Sequence, residues 1–77
     1  MNKWKGRILL VLEGSHRDKI LFIYKYRGRK RNGIQVYANT YKNGTRISDF
    51  DWFIEESVIA DGKAKYINKK EALARML

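Results

Sequence analysis

The sequence predicts a small α+β domain: an antiparallel β-meander of three to five strands, with one or two short helices in the C-terminal part. Three observations predict it. Lys19–Tyr26 (KILFIYKY) and Ile34–Tyr41 (IQVYANTY) are rich in β-branched and aromatic residues and alternate in character. Asn43-Gly44 is the strongest short-range hairpin signal, because a type I′ turn needs positive φ at both central positions. Beyond Ser48 the pattern changes to cap residues and helical spacing.

Taken in order, Gly6–Leu12 reads as a Leu- and Ile-rich strand covered on both faces, and Glu13–Asp18 (EGSHRD) as a polar turn. In the next strand Ile20, Phe22, Tyr24 and Tyr26 share one face, and Leu21, Ile23 and Lys25 the other. Arg27–Gly33 follows as a basic loop of seven residues. The third strand sets Ile34, Val36, Ala38 and Thr40 against Gln35, Tyr37, Asn39 and Tyr41, and Thr45–Ile47 returns from the Asn-Gly turn. Ser48 as a cap, acids in the first turn and the spacing of Phe50, Phe53, Ile54 and Val58 favour a helix over the rival strand, with Phe50, Trp52 and Ile54 on one face. Asp61-Gly62 reads as a hairpin turn joining Ser57–Ala60 to Lys63–Ile67. Asn68 then caps a final helix carrying Ala72, Leu73, Met76 and Leu77.

The 77 residues suffice for one domain, spanning 1–77. A chain of this size buries only about 60% of its unfolded surface, so its core is modest. An apolar content of 44% argues against disorder. There is no cysteine, hence no disulfide framework and no thiolate metal site. The apolar run Ile8–Leu12 is too short for a signal-peptide core or a membrane span. A soluble, cytoplasmic protein with no membrane partner is the expectation.

The net charge of +9 is unevenly spread. Residues 1–47 hold twelve Lys/Arg against two acids, whereas residues 48–61 hold five acids and no Lys or Arg. A basic body concentrates polyanions, and counterion release then supplies sequence-independent affinity for nucleic acid. The densest stretch is YKYRGRKRNG, where Lys25, Arg27, Arg29, Lys30 and Arg31 crowd a hairpin tip with no acid among them. These five are the candidate phosphate contacts, since guanidinium groups pair with phosphate oxygens and stack on bases. Lys3, Lys5 and Arg7 would prolong the track if the N-terminal arm is extended. Tyr37 and Tyr41, on the more polar face of their strand, are candidate stacking residues, while Tyr24 and Tyr26 fit core packing beside Ile20 and Phe22. Aromatic stacking on a sheet beside basic residues suits single-stranded RNA, so RNA ranks ahead of DNA. Weak sequence preference follows from the lack of base-reading side chains. Two other uses of the basic hairpin stand beside this one: a solvated edge guard against aggregation, and a face that covers an acidic protein surface, making the chain a protein-binding inhibitor.

No enzyme is expected. Ser15, His16 and Asp18 lie in one short turn and cannot reach a nucleophile–base–orienter geometry, and helical spacing would scatter Asp49, Asp51, Glu55 and Glu56 too widely for a metal. No cofactor is implied. The acidic segment has its own candidate role as a protein interface, with Trp52, Phe53, Glu55 and Glu56 meeting a partner protein or the basic surface of a second copy in a homo-oligomer.

In its size, its MNKWKGRILLVL opening, its RGRKRNG loop and its short Lys/Glu-rich C-terminal segment, the chain resembles the small, basic, cysteine-free accessory proteins of tailed, T4-like phages. That resemblance implies a role in host takeover or counter-defence in the host cytoplasm, by binding host enzymes or nucleic acid. Some such proteins are similar to antitoxins that neutralise a host ribonuclease toxin with RNA in the complex.

Overall fold

The computed structural model describes residues 4–77. They form an antiparallel six-stranded sheet with two short helices. The strands are β1 (Ile8–Val11), β2 (Lys19–Lys30), β3 (Gly33–Lys42), β4 (Thr45–Ile47), β5 (Asp51–Glu55) and β6 (Ala64–Ile67). The helices are α1 (Glu56–Ala60) and α2 (Lys69–Arg75). The order β4-β3-β2-β1-β6 makes β1 to β4 a meander, and β5 joins β3 on the same edge as β4.

The Asn43-Gly44 turn is as predicted, with φ of 54° and 80°. β4 covers only Thr40–Lys42, which leaves the outer edge of β3 from Gly33 to Ala38 without partners. Buried backbone donors demand partners. That demand overrides the helical signal after Ser48: Asp51–Glu55 is a strand, in register from Gly33↔Glu55 to Tyr37↔Asp51. The Ala38 amide extends the ladder by donating to the Phe50 carbonyl at 2.8 Å. The helix expected there is confined to Glu56–Ala60. Asp61-Gly62 ends this helix instead of turning a hairpin, and β6 pairs with β1. Gly33 permits the close approach of β5, because a β-carbon there would collide with the Ile54 carbonyl oxygen.

The sheet buries a cluster on each face. On the first, Leu9, Leu21, Ile23, Ile34, Val36, Ala38, Ile54 and Ala64 pack with Val58 and Ile59 of α1 and with Trp52 and Trp4. On the second, Ile8, Leu10, Ile20 and Ala72 pack with Phe22, Ile67 and Met76, so α2 covers β1 and the start of β2. α2 is capped as predicted: the Asn68 Oδ1 accepts from the Glu71 amide at 2.8 Å. Leu73, expected to pack, is half exposed. Beyond α2, Tyr24, Phe50 and Phe53 are exposed, and no other described helix covers the second face.

Candidate nucleic-acid interface

β2 breaks register twice, between Ile23 and Lys25 and between Tyr26 and Gly28. At each break two residues oppose one, which bends the strand and re-aims its side chains. Gly28 takes φ +140°, a conformation that favours glycine. These bulges overturn the face assignment made from simple alternation. Lys25 leaves the face of Leu21 and Ile23 and pairs with Tyr37, while Tyr26 turns onto the first face opposite Val36 and packs on the core. Arg27 follows Lys25, and its guanidinium lies over the Tyr37 ring, 4.4 Å from the centroid.

The result is an aromatic row on the open half of the second face. Tyr24 and Tyr37 have ring centroids 6.1 Å apart, and Tyr37 and Phe50 5.1 Å. Tyr24 is 43% exposed and Phe50 51%. Phe53, opposite Gln35 on the same face, is also exposed. Tyr37 is half-buried at the centre of the row. Tyr41 lies apart from it, edge-on to Phe22 at 5.5 Å, beside a cleft of about 260 Å³ that Arg75 and Met76 also line.

The basic hairpin is real, but it is not a seven-residue loop. β2 runs to Lys30 and β3 begins at Gly33, so only Arg31 and Asn32 turn. The strand geometry divides the five cations. Lys25 and Arg27 flank the aromatic row. Lys30 and Arg31 are exposed at the tip. Arg29, opposite Ile34, faces the other way and forms an ion pair with Glu56. Lys5 and Arg7 do not extend the track as a straight arm: residues 4–6 form a bend and turn, with Gly6 at φ +92°. Arg7 stacks over Tyr66 at 4.7 Å and over Trp4 at 5.3 Å, on the α1 face. Lys5 is exposed, and Lys3 lies outside the described residues.

The acidic segment lies along β5, and much of it is already matched within the chain. Asp49 pairs with Lys19 at 3.4 Å, Glu56 with Arg29, and the Asp51 Oδ1 accepts from the Gln35 Nε2 at 2.7 Å. Trp52 is half-buried and donates from Nε1 to the buried Thr40 Oγ1 at 2.8 Å. Phe53 and Glu55 stay exposed. His16 accepts at Nδ1 from the Lys19 ammonium at 2.8 Å and meets Trp52 edge-on at 4.8 Å. Among the described residues no group of three or more His, Asp or Glu side chains could hold a metal, and no helix is long and apolar enough to cross a membrane.

Tyr24 and Phe50 are the members of this surface that sequence reasoning missed. Alternation sets Tyr24 on the face of Ile20 and Phe22, where it lies, but does not show that α2 leaves it uncovered, and Phe50 was read as part of a helix. Comparison with protein-family models, curated proteins and solved structures finds no match, so the surface itself carries the functional argument.

Proposed function

We propose that the protein is a non-enzymatic binder of single-stranded nucleic acid, RNA ahead of DNA. The aromatic row offers stacking surfaces, and Lys25, Arg27, Lys30 and Arg31 hold phosphates. The observation that carries this reading is the placement of Tyr24, Tyr37, Phe50 and Arg27 on one open sheet face beside uncommitted cations. Duplex bases hide their faces from such a surface, whereas unpaired bases stack on it for about 1–3 kcal/mol each. Arg27 adds to the platform, because a guanidinium plane stacks on bases as aromatic rings do. The acids on β5 repel the backbone from that edge, so the phosphates follow β2 and the bases lie inward over β3. In the phage-like setting that the sequence resembles, such binding would act on host RNA or on a ribonuclease complex.

Fluorescence anisotropy over a salt series tests the reading. With four phosphate contacts on a single strand, the logarithmic salt slope is about −3. Lys25/Arg27/Lys30/Arg31→Ala should lose both the affinity and most of the slope while keeping the fold. Equal binding by wild type and variant, or no binding to single-stranded RNA or DNA, would refute it.

A further inference from the structure

The aromatic row ends beside a carboxylate, which a surface built only for phosphate would exclude. Tyr37 and Asp51 are direct cross-strand partners. The bond from the Ala38 amide to the Phe50 carbonyl marks 38/50 as a hydrogen-bonded pair. Tyr37/Asp51 is therefore of the other kind, in which opposed side chains come closest. Gln35 fixes Asp51 through its 2.7 Å bond to Oδ1, no ion pair neutralises Asp51 among the described residues, and the residue is exposed.

A fixed anion on this face is favourable only against a hydrogen-bond donor. Among base edges, guanine alone presents two adjacent donors, N1–H and the N2 amino group, which match the two oxygens of a carboxylate. Adenine, cytosine and uracil each set an acceptor against one of those oxygens. The spacing suits a single nucleotide. β2 and β5 flank β3, and neighbouring strands lie about 4.8 Å apart, so Arg27 and Asp51 approach Tyr37 from strands about 10 Å apart. That span is of the order of a nucleotide's reach from phosphate to base edge. We infer that Asp51 is a specificity-determining residue, giving one position of the bound strand a preference for guanine. The inference rests on the single-strand reading above.

The test compares eight-nucleotide U-rich RNAs carrying guanine, inosine or adenine at the same two positions, by anisotropy at one moderate salt concentration. Wild type should bind the guanine RNA roughly fivefold or more tighter than the adenine RNA, as a paired base contact allows. Inosine keeps N1–H but lacks the amino group, and should fall between. Asp51→Asn should bring guanine and adenine within about twofold while binding both at least as tightly as wild type binds adenine, because a repulsive charge is gone. Tyr24→Ala should weaken all three RNAs and leave their ratio intact. Equal wild-type affinity for the three RNAs, or an unchanged preference in Asp51→Asn, would overturn the inference and leave the binding surface standing. Failure of every RNA to bind would overturn the surface and the inference together.

Discussion

Thr40 is the one buried polar or charged residue among those described, and its partner explains it. The hydroxyl accepts from the Trp52 indole at 2.8 Å, which fixes the ring against His16 and under the Lys19 ammonium. β5 is thereby locked to β3 by a side chain as well as by its ladder. Thr40→Val keeps the shape and strands the indole N–H, so it should cost about 1–3 kcal/mol. Urea unfolding followed by Trp fluorescence reads the change. Tyr66 behaves differently. Burial pushes its phenol above the ordinary 10.0, and the charge and hydrogen bond of Arg7 offset part of that rise. The folded state thus holds this proton more tightly than the unfolded chain does. The stability it contributes is fully present below the ordinary value and is lost as pH rises through the raised one. Wild type should lose more stability than Tyr66→Phe between about pH 8 and pH 11, measured as the shift in urea midpoint. Equal losses would show that the phenol is not the responsive group.

At the scale of elements, β2 decides where the charges go. Simple alternation would set Lys25 and Arg27 behind the sheet with Leu21 and Ile23. The bulge between Ile23 and Lys25 brings them to the aromatic row instead, and the second, between Tyr26 and Gly28, turns Arg29 to the other face. Gly28 permits the second bulge through its φ of +140°, and nothing within 4 Å would obstruct a side chain there. Gly28→Ala should therefore report backbone strain alone, costing about 1–3 kcal/mol in urea unfolding. It should also weaken RNA binding if Arg27 is displaced from Tyr37. The same element marks how far the sequence could be read. The Asn43-Gly44 turn, the Asn68 cap and the alternating strand Ile34–Tyr41 were legible because each follows from local chemistry. The strand Asp51–Glu55 was not, since its reason lies in an unpaired edge fourteen or more residues earlier in the chain. The basic patch was visible in composition, but its division between two faces was not, because the bulges set it. Tyr37 was singled out for its polar face and lies at the centre of the aromatic row, whereas Tyr24 is exposed because no described helix covers that part of the face.

For the whole molecule, the charge asymmetry of the sequence becomes a geometry. The β2–β3 tip and the open half of the second face carry uncommitted Lys25, Lys30 and Arg31, with Arg27 on its tyrosine. The β5 edge carries the acids, and Asp49 and Glu56 are paired with Lys19 and Arg29 of the same chain. On the proposed reading, a polyanion would approach the β2 side of the sheet and be repelled from the β5 edge. The central claim is that this open face binds single-stranded RNA. The most direct test is a ¹⁵N–¹H NMR titration with a short single-stranded RNA. Perturbed amides should form one contiguous patch over Tyr24, Lys25, Arg27, Gln35, Tyr37, Phe50 and Asp51, with the buried α1 face around Leu9 and Ala64 unmoved. Perturbations centred on α1 and β6, or none at saturating RNA, would contradict it.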